Sequence, residues 1–172
     1  MTPPPFVIRS CVESDAETLV NLVRELAVYE KFEEHAKATP QSFRDHLFGP
    51  EKTAEAIVAE VGEEVIGFAL FFKTFSTFRG QSGIYLEDLF VKPEYRGQGV
   101  GKALLAGVAK RVLERNGGRL EWAVLNWNAP AIGFYRSVGA RPQDEWTIYR
   151  VDDDSLRGLA DLATDSSERK PG

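Results

Sequence analysis

The stretch Val91-Lys92-Pro93-Glu94-Tyr95-Arg96-Gly97-Gln98-Gly99-Val100-Gly101-Lys102 decides the fold of this chain. An apolar run over 84–91 stops just before the proline, and glycine occupies three alternate positions from 97 to 101. A helical pattern of apolar residues then covers 103–115. A strand that leads through glycines into a helix is a common anion site, because backbone N–H groups and the positive end of the helix dipole face the ligand. We therefore expect an anion-binding turn here.

Counting residues excludes two familiar phosphate loops. A Walker loop requires Gly, four residues and then Gly-Lys-Ser/Thr, but Arg96 stands at the first glycine position and Ala103 at the Ser/Thr position. A dinucleotide fingerprint would need glycine at 102 or 104, where the chain has Lys102 and Leu104. The pattern that remains is Arg-x-x-Gly-x-Gly over 96–101. A glycine-rich turn without a ligand stays the alternative.

The composition is that of a soluble globular protein. The chain has 172 residues, which suit one domain with a sizeable core, and 43% of them are hydrophobic and 27% charged. A net charge of −5 makes nucleic acid a poor partner. Cys11 is the single cysteine, so no internal disulfide can form and a cytoplasmic location is expected. We expect neither a secretory signal over 1–5 nor a membrane helix, which needs an apolar run of roughly 18 residues.

Hydrophobic periodicity predicts a mixture of strands and helices. The predicted strands are 6–9, 54–61, 65–75, 84–91, 120–125 and 146–151. The predicted helices are 14–29, 39–47, 103–115, 128–138 and 155–162. Ser14 and Glu17 form a predicted capping box. The long helix is expected to bury Val100, Leu104, Leu105, Val108, Val112 and Leu113. We expect one domain over 4–163 and a disordered tail over 164–172.

The order of these elements and six stretches of sequence resemble the GCN5-related N-acetyltransferase (GNAT) family, and within it the diamine (spermidine/spermine) and thialysine N-acetyltransferases. The stretches are FVIR (6–9), ELAVYE (25–30), VIGFA (65–69), YLEDLFV (85–91), YRGQGVG (95–101) and WNAPAIGFY (127–135). The resemblance implies a single-domain α+β (α/β) fold. Its mixed, mostly antiparallel sheet is flanked by helices, with the acetyl-CoA loop between strand 4 and the long central helix. It also implies an acetyl-CoA-dependent N-acetyltransferase that releases CoA.

The same resemblance assigns residues to the donor, acetyl-CoA. Main-chain groups of the strand end would contact the pantetheine arm, and the glycine loop would hold the pyrophosphate. The cofactor-binding residues implied are Leu89, Phe90, Val91, Arg96, Gly97, Gln98, Gly99, Val100, Gly101, Lys102, Asn128, Ala129, Pro130, Ala131 and Ser137. Arg96 would add charge near phosphate or brace the loop, and Asn128 could also be a helix cap.

Tyr135 and Glu87 match the catalytic positions of the family. Attack of an amine on a thioester expels a thiolate, and a phenol with a pKa of about 10 is still protonated at pH 7 and can protonate that thiolate. Deprotonating an alkylamine of pKa about 10.4 at pH 7 costs about 4 to 5 kcal/mol. The Glu87 carboxylate could hold the ammonium and then accept its proton, directly or through water. The alternatives are a core aromatic at Tyr135 and a bracing carboxylate at Glu87.

Further positions match the acceptor side of the family. They are Tyr29, Glu30, Glu87, Asp88, Glu121, Trp122 and Ala123. Because strand side chains alternate, Glu87 and Asp88 are expected on opposite faces of the sheet. The chemistry of the stretch 121–123 departs from the usual residues of the family, which leaves the acceptor open. No metal is expected, since the two histidines lack partners at metal-ligand spacing.

The expected activity is acetyl transfer by direct attack of a small primary amine: a polyamine, a diamine or a lysine-like amino acid. The resemblance implies a homodimer, with no nucleic acid or membrane partner. One alternative is a transferase that modifies protein N-termini or lysines, for which an open acceptor groove would be expected. The other is a non-catalytic acyl-CoA-binding module, which the presence of Tyr135 and Glu87 disfavours.

Overall fold

One mixed sheet organises the chain in a computed structural model that describes residues 5–163. Within these residues the sheet has five strands in the order β1-β2-β3-β4-β5. They are Val7–Ser10 (β1), Glu55–Val61 (β2), Glu64–Ser76 (β3), Gln81–Val91 (β4) and Leu120–Glu121 (β5). The first four pair antiparallel, and β5 lies parallel to β4. The predicted mixed, mostly antiparallel sheet is confirmed.

Five helices accompany the sheet in the described part of the chain. They are Ala16–Glu30 (α1), Pro40–Phe48 (α2), Val100–Glu114 (α3), Ala129–Ser137 (α4) and Asp153–Ala160 (α5). Thr39 caps α2 by accepting a hydrogen bond from the Ser42 N–H, and Pro40 takes the first helical position. None of the described helices is long and apolar enough to cross a membrane.

The start of α1 differs from the prediction. Ser14 lies in a short 3-10 turn before the helix, and the capping box with Glu17 does not form. The carboxylate of Asp15 is used instead, because it accepts the Val12 N–H at 2.8 Å and pairs with the Arg9 guanidinium at 2.7 Å. A charge-assisted pair outcompetes the weaker hydroxyl cap.

The described residues form two compact units, divided after Ala131. The first unit contains the sheet and α1 to α3, and the second contains most of α4 and all of α5. The boundaries predicted for one domain, 4–163, stay a prediction. The tail predicted over 164–172 lies outside the described residues.

Helices cover both faces of the sheet in the first unit. One buried cluster joins α1 and α2 to the sheet: Leu19, Leu22, Leu26, Leu47, Ala56, Val58, Val65, Phe68 and Phe90. On the other face α3 approaches closely at Gly107, where an added Cβ would lie 3.0 Å from Cδ1 of Ile57. Neighbours in a strand point to opposite faces, which is why Ile57 and Val58 serve different helices.

The long helix buries its predicted residues with one exception. Val100, Leu104, Leu105, Val108 and Val112 are all buried. The expectation for Leu113 was wrong, because this side chain is 74% exposed. Each residue turns the helix by about 100°, which carries Leu113 out of the stripe that ends at Val112.

The predicted last strand, 146–151, is also wrong. No strand forms over 146–151 in the second unit, where Trp146, Ile148 and Tyr149 are 74%, 76% and 91% exposed. The predicted strand over 120–125 shortens to the two residues of β5. High β-propensity marks a segment that tolerates extended backbone, but a strand also needs a neighbour that supplies hydrogen bonds.

Candidate functional site

The glycine loop lies between β4 and α3, as the sequence predicted. Gly97 and Gly99 have φ angles of 74° and 83°, which side-chain-bearing residues rarely adopt. An added Cβ at either glycine would meet nothing within 4 Å, so there is open space beside both residues. Gly99 is the N-cap of α3 and no side chain caps this helix. The first N–H groups of α3 are thus available to an anion.

The segment before the loop is held to the start of β3. Glu64 accepts hydrogen bonds from Lys92 Nζ at 2.6 Å and from the Tyr95 hydroxyl at 3.0 Å. The hydrogen bond from Lys92, followed by that from Tyr95, lowers the pKa of the Glu64 carboxyl. Gln98 Nε2 donates to the Glu94 carbonyl at 3.1 Å. These contacts fix the position of the loop relative to the sheet.

The edge of β4 is open beside the loop. β5 pairs only with Ile84 and Tyr85, whereas β3 continues along the other side of β4 to Val91. Among the described residues no strand therefore flanks 87–91 on the β5 side. Main-chain groups of Leu89, Phe90 and Val91 were predicted to contact the pantetheine arm, and the open edge gives an extended ligand room to lie there.

Arg96 makes three contacts that fix its side chain. Its Nε donates to the Val91 carbonyl at 2.9 Å. Its guanidinium carbon lies 5.1 Å from the centroid of the Tyr29 ring and 5.4 Å from that of Phe90. Of the two roles considered for Arg96, bracing of the loop is the one the contacts exhibit.

Two of the acidic residues predicted to contact the acceptor, Glu87 and Asp88, lie at a bulge in β4. Leu70 pairs with Asp88 and Phe71 with Leu86, so Glu87 is an extra residue without a partner on β3. The alternation that placed Glu87 and Asp88 on opposite faces is interrupted at this point. Glu87 is exposed, whereas Asp88 is partly buried.

Two neighbouring carboxylates affect the pKa of Asp88. Burial, followed by the charges of Glu87 and Glu30, raises the pKa of its carboxyl to about 6. Burial also raises the pKa of Glu30, at the end of α1. Glu30 and Glu87 thus both lie within electrostatic range of Asp88, and the three residues are named the acidic cluster below. Such a cluster favours a bound cation.

Tyr85 is a residue that the sequence analysis missed. Burial raises the pKa of its phenol, and the charges of Glu87 and Glu121 add to this, whereas a hydrogen bond to the backbone of Ala123 opposes it. Its ring stacks on Phe72 with centroids 5.3 Å apart. The signal available in the sequence was the position of Tyr85 in the stretch 85–91, two residues before Glu87.

The stretch predicted to contact the acceptor, 121–123, lies beside this tyrosine. Glu121 is opposite Tyr85 in the parallel pairing, and its Oε2 is 2.7 Å from Arg119 Nε. Trp122 is partly buried and Ala123 is exposed. Glu121, Ala123 and Glu87 thus all act on the phenol of Tyr85.

Asn128 caps α4 and contacts α1. It is 5% exposed, and its Oδ1 accepts the Ala131 N–H at 3.3 Å and the Tyr29 hydroxyl at 3.0 Å. Ala129 and Pro130 open the helix and are exposed. The capping role considered for Asn128 is confirmed.

Tyr135 and Ser137 belong to the second unit. Tyr135 is partly buried, with its ring centroid 5.3 Å from that of Phe134. The Ser137 hydroxyl donates to the Phe134 carbonyl at 2.6 Å. Their assignments to proton donation and to CoA binding stay predictions. Over residues 5–163, no group of three or more His, Cys, Asp or Glu side chains is placed to hold a metal.

Comparisons with known proteins show the family and the fold of the chain. A model of the "Acetyltransferase (GNAT) family" matches residues 18–140. A thialysine N-epsilon-acetyltransferase from Bos taurus is 36% identical over 165 residues, which cover 90% of this chain and 96% of the relative. An L-ornithine N5-acetyltransferase from Arabidopsis thaliana is 39% identical over 67% of this chain and 47% of its own length. The structure of an integron cassette protein from V. cholerae superposes with a TM-score of 0.77 at 29% identity, covering 93% and 98% of the two chains.

Proposed function

The chain belongs to the acetyltransferase (GNAT) family, and we propose that it acetylates a primary amine of a small cationic acceptor: a polyamine, a diamine or a lysine-like amino acid. It is an N-acetyltransferase and uses acetyl-CoA as its acetyl donor. The observation that carries the proposal is the acidic cluster, which lies on and beside β4 a few residues before the glycine loop. The names of the bovine and Arabidopsis relatives favour amino acids with a terminal side-chain amine within this class.

The residues on the donor side fit coenzyme A. The uncapped N–H groups of α3 and the open backbone at Gly97 and Gly99 suit a pyrophosphate. The free edge of β4 over 89–91 suits the amide-containing pantetheine arm, which can hydrogen-bond to a strand as another strand would. When bound, acetyl-CoA supplies a thioester carbonyl carbon that an amine can attack.

The acidic cluster would bind and deprotonate the acceptor. An ammonium beside Asp88 would favour the ionised carboxylate and return the pKa toward its ordinary value. Glu87, which is exposed at the bulge, would accept the proton of the attacking amine, directly or through water. A second cationic group on the acceptor would pair with the remaining carboxylates.

The proposed reaction transfers the acetyl group directly. The amine nitrogen forms a bond to the acetyl carbon while the bond from this carbon to the CoA sulfur breaks. The ammonium first loses one proton to Glu87, which passes it to solvent, and the neutral amine then attacks. A second proton leaves the nitrogen for Glu87, and from there for solvent, as the amide forms, and one proton passes from the Tyr135 hydroxyl to the thiolate. The products are an N-acetylated amine and CoA, and a proton from solvent restores Tyr135.

A panel of acceptors tests the proposal. CoA release would be measured with acetyl-CoA and thialysine, lysine, ornithine, putrescine, spermidine, an aminoglycoside, and a peptide with a free N-terminus and one lysine. We expect kcat/KM for at least one diamine or lysine-like amino acid to exceed that for the peptide by about two orders of magnitude. A preferred peptide would identify a protein acetyltransferase. Binding of acetyl-CoA without turnover of any amine would identify a non-catalytic module.

We also propose that the protein is a cytoplasmic homodimer. The resemblance suggests the dimer, and exposed apolar side chains at Trp146, Ile148 and Tyr149 give the second unit a surface suited to association. Analytical ultracentrifugation of the protein and of Ile148→Glu tests this assembly. If the unmodified protein and the variant both sediment as monomers, the proposed dimer is contradicted.

A further inference from the structure

The end of α1 contacts the donor side of the site as well as the acceptor side. The helix stops at Lys31, whose φ of 63° is left-handed, and Phe32 N–H donates to the Ala27 carbonyl. This closure fixes the last turn, in which Tyr29 precedes Glu30 of the acidic cluster. By resemblance Tyr29 is an acceptor contact, which stays a prediction, and its side chain also contacts Arg96 and Asn128.

The ring of Tyr29 contacts the guanidinium of Arg96. The distance from the guanidinium carbon to the ring centroid is 5.1 Å, within the range of a cation–π interaction. Phe90 lies within the same range, and Arg96 Nε is bound to the Val91 carbonyl. The Arg96 side chain is therefore held by two rings and one backbone acceptor.

The hydroxyl of Tyr29 contacts the start of α4. It donates to Oδ1 of Asn128, which also caps the helix through Ala131 N–H. Asn128 is almost fully buried, so this hydrogen bond is protected from water. One tyrosine thus joins the glycine loop, through its ring, to the segment 128–131, through its hydroxyl.

Both segments that Tyr29 joins are predicted to bind CoA. We propose that Tyr29 is a positioning residue for acetyl-CoA: it holds Arg96 and Asn128 in the arrangement that the donor requires. The proposal rests on donor binding at the glycine loop and does not depend on which amine is the acceptor.

The orientation of Arg96 explains why such a support matters. Within residues 5–163 only its Nε hydrogen-bonds to the protein, so the terminal N–H groups stay available for a phosphate oxygen. An arginine that is already held in place loses less conformational freedom when the anion binds. Loss of Tyr29 would release the guanidinium and weaken donor binding without removing any group that touches the ligand.

Graded variants separate the two contacts of Tyr29. Y29F keeps the ring and removes the hydroxyl, Y29L removes both, and R96K removes the planar guanidinium together with its Nε hydrogen bond. Dissociation constants for CoA and acetyl-CoA would be measured by calorimetry on the full chain, and the acceptor KM at saturating acetyl-CoA. F32L is the matched control, since Phe32 is an exposed aromatic just beyond α1 whose ring contacts His35.

We expect Y29L to raise the Kd for CoA about tenfold and Y29F about threefold, with the acceptor KM changed less than twofold and F32L unchanged. The effects of Y29L and R96K should be clearly less than additive in the double variant, because they remove the same contact. An unchanged Kd for CoA with a raised acceptor KM would overturn the proposal and restore Tyr29 to the acceptor side.

If Y29L does not fold, Y29F and R96K decide the question alone. Calorimetry with CoA needs no acceptor, so a failed acceptor panel leaves this test valid.

Discussion

The two sides of the proposed site, a donor side for acetyl-CoA and an acceptor side for the amine, are built in different ways. The donor side is backbone: two glycines with positive φ, the uncapped start of α3 and the open edge of β4. The acceptor side is a set of carboxylates from α1 and a bulge in β4. A site that binds through main-chain groups tolerates most substitutions that do not block it. A site that binds through carboxylates changes its preference for the ligand when one of these side chains is substituted. The difference suits an enzyme class with one donor and many acceptors.

Tyr135→Phe tests whether chemistry can be lost while the donor side stays intact. Without the phenolic proton, kcat is expected to fall by about 10²- to 10⁴-fold, the usual contribution of a general acid. The Kd for CoA should stay the same. Steady-state kinetics and calorimetry provide both values, and Tyr149→Phe, at an exposed tyrosine of the second unit, is the control. Turnover equal to that of the unmodified protein would exclude the proton-donor role.

Glu87→Gln tests the acceptor side. Loss of the carboxylate should lower kcat/KM for a cationic amine by about 10- to 100-fold near pH 7, less than for Tyr135, since water can replace an exposed base. The defect should shrink toward pH 10, where much of the amine is already neutral. A pH–rate profile measures this, with Glu63→Gln in the turn between β2 and β3 as the control. A profile parallel to that of the unmodified protein would remove the base assignment.

Asp88→Asn tests whether the ionised Asp88 carboxylate destabilises the fold when no cation is bound. The unfolded chain loses this proton near pH 4 and the native chain near pH 6, so the free energy of unfolding falls as the pH rises through this window. Removing the charge should raise the free energy of unfolding by about 1 to 3 kcal/mol at pH 8 and change it little at pH 4. Urea unfolding at both pH values measures it. An equal effect at both would contradict the burial of this charge.

Gly99→Ala tests the donor side at one residue. A Cβ at positive φ costs about 1 to 2 kcal/mol, which the loop can relieve only by moving its N–H groups away from the anion. We expect the Kd for acetyl-CoA to rise about tenfold. Gly80→Ala is the matched control, because Gly80 has a φ of 59° and equally open surroundings in the turn between β3 and β4. Equal loss of affinity in both variants would show a general effect of stability.

The donor side was accessible to sequence analysis because its determinants are local. Glycine spacing, the proline before it and the apolar stripe of α3 lie within 25 consecutive residues over 91–115, and each confines backbone geometry directly. The loop and the start of the helix were accordingly predicted within three residues. Leu113 shows the limit, since a pattern of 3.6 residues per turn leaves residues at the border of a stripe ambiguous.

The acceptor side depends on contacts that no local pattern encodes. Neither glycine nor proline marks the bulge at Glu87, so regular alternation was the natural expectation. The contact of Tyr29 with Arg96 joins residues that are far apart in sequence. The strand predicted over 146–151 was wrong for a related reason, because β-propensity is a local property whereas strand pairing depends on distant residues.

The short pairing of β5 has a consequence for handling the protein. An uncovered strand edge is a template on which another chain can add, and natural sheets usually protect such edges. Within residues 5–163 no strand pairs with 87–91 on the side of β5, which leaves an edge of this kind. A pantetheine arm lying along the edge would occupy the position of a sixth strand. The bound coenzyme would then protect the protein from aggregation in addition to serving as a substrate. Light scattering of the protein with and without CoA at 37 °C would reveal slower aggregation in the presence of the coenzyme.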